Sequence, residues 1–294
     1  MRETVDVAWG RLEVDGVVAA HGTAGTGGAA GTGERVLFLH GWGVGPRSYA
    51  GALRHVAALG CAVSAPALPG FGGTPVLPAE ARSFPGYARW AARYLDALEA
   101  HERVVVVGHS FGGGVALQFA HDHPDRVRAV VLCNAVGGPH RCGTLENGRA
   151  DVTAAARPLW EWGRDLGADL LGLSGMFRTL PPLLEEALPN LVQRPLALWQ
   201  VAEVARRADL LAEAAVVSRL GIPLTVVWSD RDRLVPHAGF AALCDAAGVE
   251  GQVVPGFHSW MIAEPRRFAD VVWRAAVHAG ALDHVLVPRS AAAF

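Results

Sequence analysis

Short apolar runs separated by longer amphipathic stretches recur through most of the chain. The runs are Val36–Leu39, Ala62–Ala65, Val104–Val107, Val127–Leu132, Leu224–Trp228 and Gln252–Val254. Runs this short and uniformly apolar fit strands covered on both faces, and their alternation with helical spacing predicts a mostly parallel sheet flanked by helices. Ahead of them, residues 4–20 alternate apolar and polar positions around Gly10 and Gly16, which predicts an opening hairpin. His21 to Gly33 is rich in Gly, Ala and Thr, with little side chain to bury, so a mobile surface loop is expected there. The alternation fails from about Gly137 to Gly221, where ADVTAAARPLWEWGRDLGADLL and RPLALWQVAEVARRADLLAEAAVVSRL read as helices with prolines between them. The expected organisation is a doubly wound α/β core, residues 1–137 and 221–294, carrying a helical cap inserted as residues 138–220.

Composition narrows the classes of partner. With 26 basic against 28 acidic residues the formal charge is -2, so no broad field exists to attract nucleic acid or anionic lipid. A small-molecule substrate is the expected partner, and the oligomeric state is left open. The 51% of hydrophobic residues is ample for a large core, yet no apolar run approaches the roughly 18 residues of a membrane span. The start, MRETVDVAWG, lacks the basic and then apolar pattern of a signal peptide, which makes a cytoplasmic location the expectation. Cys61, Cys133, Cys142 and Cys244 form no CxxC pair and read as buried apolar fillers. Neither a metal site nor a GxGxxG after the first core strand is indicated, so no cofactor is expected.

The strongest chemical signal is VVVVGHSFGGG at 104–114. A four-valine strand runs into Gly108, His109, Ser110 and Gly112 in the pattern GxSxG, and a helix follows. A serine projecting from a tight strand-to-helix turn needs neighbours without side chains, and this spacing supplies them. A serine is a weak nucleophile alone, so a base and an orienting acid must accompany it, in the chain order Ser, Asp or Glu, His. The strand LTVVW ends in SDRDRLVP, offering Asp230 and Asp232 as candidates for the acid. The strand QVV ends in PGFHSW, which places His258 at an equivalent carboxyl edge. An oxyanion needs two backbone N–H groups; Phe111, after the serine, offers one, and Trp42 in the HGWG turn after the first core strand the other.

In this order HGWG, PALPGFGGT, GHSFGG, WSDRDRLVP and GFHSW resemble the α/β-hydrolase superfamily in its capped branch, over roughly residues 34–136 and 221–280. The resemblance implies Asp232 as the triad acid. Two departures, Ala67 before LPG and Ser229 before the acid loop, fall where no chemistry is expected. Members that use aspartate as nucleophile are set aside by Ser110, which leaves acyl transfer to water, with a carboxylic ester of a small, mostly apolar molecule as the first substrate class. A meta-cleavage type carbon–carbon bond hydrolase is the alternative enzyme, and a non-catalytic small-ligand-binding module is the alternative of another kind. Trp160, Phe177 and Trp199, in the inserted segment, are the candidate pocket-lining residues.

Overall fold

The structure, a computed structural model, describes residues 5–25, 34–138, 185–192 and 195–286. Eight strands form one sheet: β1 Ala8–Val14, β2 Val17–Ala24, β3 Arg35–Leu39, β4 Ala62–Pro66, β5 Val104–His109, β6 Val127–Cys133, β7 Leu224–Ser229 and β8 Gln252–Val254. Their order is β1-β2-β4-β3-β5-β6-β7-β8. The pairings of β1 with β2 and β2 with β4 are antiparallel, and all the others are parallel. The six apolar runs are the six core strands to within a residue or two at each end.

The central strand β5 shows why such runs are uniformly apolar. Val104 and Val106 enter one core with the helices α2 Phe84–Ala97 and α3 Phe111–Asp122. Val105 and Val107 enter the opposite core with α1 Ala50–Ala58 and the long C-terminal helix Pro265–Leu286. A strand residue points to one face or the other, so burying both faces requires apolar side chains at every position.

The expected loop from His21 to Gly33 is corrected in part. His21–Ala24 continue β2 and pair with Pro66–Val63 of β4, because the ladder is made by backbone groups and asks little of side chains. Gly22 is there for space: a Cβ on it would overlap the ring of Trp9, its cross-strand partner. Residues 26–33 lie outside the described residues.

Of the segment expected to form the cap, 139–184 and 193–194 lie outside the described residues, and with them the first of the two helical stretches. The second stretch forms two helices, α4 Pro195–Arg206 and α5 Leu211–Arg219, preceded by a helical stretch at 185–192. Helix α5 packs against α3 and against the helix His237–Ala247, so it covers the sheet like the core helices beside it. Among the described residues no helix is long and apolar enough to cross a membrane, and no group of three or more His, Cys, Asp or Glu could hold a metal ion.

Helix α3 is seated on the sheet through its glycines. A Cβ on Gly113 would overlap the Cβ of Ala135 and lie 3.0 Å from its Cα. Gly113→Ala should therefore cost about 1–3 kcal/mol of folding free energy by overpacking, read as a lower urea midpoint at unchanged m-value. A midpoint equal to that of the wild type would mean that α3 can shift away from the sheet at no cost.

Candidate active site

Ser110 joins β5 to α3 with φ 54 and ψ −118, a conformation that a residue with a Cβ rarely adopts. Its neighbours over-determine it. The Ser110 amide donates to the Cys133 carbonyl at 3.0 Å, and its own carbonyl accepts from Gly113 at 2.9 Å and Val136 at 3.1 Å. A Cβ on Gly108 would overlap the Gly112 carbonyl oxygen, and one on Gly112 would overlap the Leu39 carbonyl oxygen and meet that of His40 at 2.5 Å. The GxSxG spacing is thus a packing requirement: the turn closes only if these two positions carry no side chain.

Beyond the carboxyl ends of β7 and β8 lie the two other expected groups. His258 is buried, and its Nδ1 donates to Asp232 Oδ2 at 2.8 Å. The second carboxylate oxygen of Asp232 accepts the amides of Leu234 at 2.7 Å and Val235 at 3.0 Å. Asp230 turns away, with its side chain half exposed and accepting from the Gly256 amide at 2.9 Å. The structure therefore brings Asp232, and not Asp230, to the histidine. Ser110, His258, Trp42, Gly41 and His109 line one narrow cavity together with Tyr49, Val136 and Ile262. Phe111 is the first residue of α3, where N–H groups have no carbonyl of their own helix to bind.

The pocket expectations fare differently. Trp199 is exposed and lines a separate groove with Arg82, Phe84 and Glu203, so among the described residues it does not line the cavity beside Ser110. The reason is helical phase: α4 turns Leu198 and Val201 inward and leaves Trp199 outside. Trp160 and Phe177 lie outside the described residues, as does Cys142. The other three cysteines are buried, and burial raises the Cys133 thiol to about 12.

Three supporting groups escaped the sequence. Asn134, just beyond β6 with φ 47, donates its Nδ2 to Asp232 Oδ2 and to Ser229 Oγ, while its Oδ1 accepts from Trp260 Nε1 at 2.9 Å. Ser229 in turn donates to the Phe257 carbonyl at 2.8 Å, so the serine that departs from the family pattern ties the acid strand to the residue before His258. Tyr49 is the third. His109 Nε2 contacts the His258 carbonyl at 3.1 Å and must donate there, which makes Nδ1 an acceptor for the Tyr49 hydroxyl at 2.7 Å. The Tyr49 oxygen then accepts the Gly41 amide at 3.3 Å. His40 has the opposite tautomer: its Nε2 accepts the Leu68 amide at 2.9 Å, so Nδ1 donates to the Gly41 carbonyl at 2.8 Å. Asn134 sits where ligands of parallel sheets bind, a positional hint; nothing comparable marked Tyr49.

Comparison with known proteins places this geometry in a family. A family model described as alpha/beta hydrolase fold matches residues 34–182. A protein of Mycobacterium phage D29 that carries a non-heme haloperoxidase name is 29% identical over 82% of this chain and 87% of its own length. The pimeloyl-[acyl-carrier protein] methyl ester esterase of Aromatoleum aromaticum (strain DSM 19018 / LMG 30748 / EbN1) is 32% identical over 69% of this chain and 81% of its own. Among solved structures, a serine hydrolase involved in carbazole degradation superposes with a TM-score of 0.71 at 19% identity, covering 92% of this chain and 99% of that one.

Burial holds His40 and His109 neutral, His40 at about 4 and His109 well below its ordinary value, where the nearby His258 adds to the effect. Their folded values lie below the unfolded value, so stability is unaffected above about pH 6.5 and is lost as the unfolded chain gains protons that the native state refuses. Between pH 7 and pH 5 His40 should remove about 2 kcal/mol of unfolding free energy, and His109 acts in the same direction. Glu186, raised by burial, acts in the opposite sense. The difference between wild type and His109→Gln isolates one histidine: urea unfolding at both pH values should show the variant losing less stability than the wild type. Equal losses would mean that His109 is protonated in the native state.

Proposed function

The chain belongs to the alpha/beta hydrolase fold family, and from that premise we propose that it is a serine hydrolase acting on a carboxylic ester of a small, mostly apolar molecule. The observation that carries this reading is the 2.8 Å contact of Asp232 with His258 Nδ1, on a histidine that shares one cavity with the strained Ser110. With Nδ1 engaged, Nε2 is the nitrogen that takes the proton as Ser110 Oγ adds to the ester carbonyl carbon. The negative charge goes to the carbonyl oxygen, between the amides of Trp42 and Phe111. Collapse expels the alcohol, which leaves with the proton from His258. A water, deprotonated by the same nitrogen, adds to the acyl-enzyme, and its collapse returns the acid and free Ser110. Asp232 orients the imidazole and favours the imidazolium formed in each half-reaction.

The methyl ester esterase among the relatives supports the substrate class, since its name denotes cleavage of a carboxylic ester. The cap reading is a proposal too. In support, the helical stretch at 185–192 and α4 both touch the loop bordering the cavity, through Glu186 to Gly45 and Leu198 to Trp42. Because α5 packs with the core, the proposed cap ends near residue 210 and not at 220.

Ser110→Ala should lower turnover of a nitrophenyl ester by roughly 10³-fold or more at unchanged stability. Asp232→Asn should cost on the order of 10⁴-fold through the wrong histidine tautomer, whereas Asp230→Asn should change turnover less than about threefold. An active, folded Ser110→Ala protein would overturn the reading. Faster turnover of a vinylogous diketone than of any ester would replace the substrate class with carbon–carbon cleavage, and no turnover of either would favour a binding module.

A further inference from the structure

The loop 40–49 carries the proposed oxyanion donor Trp42, yet much of what holds it comes from a distant part of the chain. Glu186 lies on the helical stretch 185–192, between 138 and 141 residues from the atoms it meets. It is buried. Its Oε2 accepts the Gly45 amide at 3.0 Å, the Ser48 amide at 2.8 Å and the Ser48 hydroxyl at 2.8 Å, while Oε1 accepts the Arg47 amide at 3.1 Å. The three amides open the short 3-10 helix Pro46–Tyr49, whose own N-terminal residue, Gly45, supplies no side-chain cap. Burying a carboxylate is costly, and the four donors that converge on Glu186 offset that cost in part. Gly45 fits the same arrangement, since a Cβ there would lie 2.6 Å from Glu186 Oε1.

Two further contacts join the same partners. Asn190, one helical turn after Glu186, accepts the Gly72 amide at 3.3 Å and donates to the Gly43 carbonyl at 3.4 Å. Trp42 Nε1 donates to the Leu198 carbonyl on α4 at 2.8 Å. Residues 42, 43, 45, 47 and 48 are thus tied to 186, 190 and 198, and at its inner end the loop is held by the Tyr49 hydroxyl on the Gly41 amide.

The geometry points to Glu186 as a positioning residue of the oxyanion loop: it sets the backbone of residues 42–48 from the segment above the site, so that the Trp42 amide is aimed correctly only when that segment is seated. This inference rests on the serine hydrolase reading. It assigns Glu186 no contact with substrate and no part in proton transfer. The carboxylate replaces the side-chain cap that the 3-10 helix lacks, and couples the loop to the segment over the cavity.

The test measures turnover per titrated active site in Glu186→Ala and Glu186→Gln, with Ser110→Ala as the reference. Since removing an oxyanion donor outright costs about 10²–10³-fold in kcat, a misaimed one should cost roughly 10- to 100-fold. KM should stay within about threefold, because the donor acts on charge that develops after binding. Glu186→Gln should fall between wild type and Glu186→Ala, because it keeps one acceptor oxygen and turns an NH₂ group toward backbone donors. Exchange of the Gly45, Arg47 and Ser48 amides with deuterated water should accelerate in the same order. A purely structural Glu186 would lower the melting temperature or the number of titratable sites and leave kcat per site unchanged. That result, in either variant, overturns the inference, and Glu186→Gln alone decides the matter if Glu186→Ala does not fold. Wild-type kcat per site in the Glu186 variants beside an inactive Ser110→Ala removes this inference alone, whereas an active Ser110→Ala removes the hydrolase reading beneath it.

Discussion

The backbone of Ser110 is the constraint on which the remainder of the site depends. A non-glycine residue in this conformation costs on the order of 1–3 kcal/mol, and it persists only where its surroundings leave no alternative. Here those surroundings are extensive. The amide is committed to Cys133, the carbonyl to Gly113 and Val136, and helix α3 is pressed so close to the ends of β3 and β5 and to Ala135 after β6 that Gly108, Gly112 and Gly113 have no room for a Cβ. Because the cores on both faces of β5 are continuous, the turn cannot relax by moving either element. The hydroxyl is thereby held at the end of the central strand, and every other group of the site must be delivered to that point.

Delivery is by hydrogen bonds that cross the sheet. Asn134 reaches from β6 to Asp232 beyond β7, Ser229 reaches to the chain before His258, and Trp260 closes this group from the far side. A second path runs from the His258 carbonyl through His109 and Tyr49 to the Gly41 amide on the oxyanion loop. Each member has one arrangement of donors and acceptors that satisfies its neighbours, so the network specifies the tautomers of His40 and His109 along with their positions. Neutral histidines in a dry setting also keep positive charge from accumulating beside His258, whose proposed role requires it to gain and release a proton.

Much of this was legible in the sequence because it is encoded locally. Uniformly apolar runs marked the six core strands, since burial on two faces leaves no polar alternative, and the GxSxG spacing marked the serine turn, since close packing dictates its glycines. His258 and the pair Asp230 and Asp232 were readable from their places after β7 and β8, where catalytic loops of parallel sheets gather, and the resemblance selected Asp232. What stayed hidden was encoded between distant residues. The pairing of His21–Ala24 with β4 is made by backbone groups, and small side chains there imitated a loop. Asn134, Tyr49 and Glu186 act through partners on other elements, so no local spacing announces them. Trp199 was misleading because tryptophan content says nothing of helical phase, and α4 turns that residue outward.

The linear separation of the site's parts bears on how the protein is made. The loop of the proposed oxyanion donor and Ser110 lie in the first 40% of the chain, while Asp232 and His258 come from its last quarter. At translation speeds of about 5–20 residues per second, roughly seven to thirty seconds pass between synthesis of the serine and synthesis of the histidine. Strand β8 must then emerge and pair with β7 before Asp232 and His258 can meet. On the proposed reading, a nascent or truncated chain carries Ser110 with no His258 to activate it. On the serine hydrolase reading, the order of residues therefore delays the complete site until the last quarter of the chain has been made.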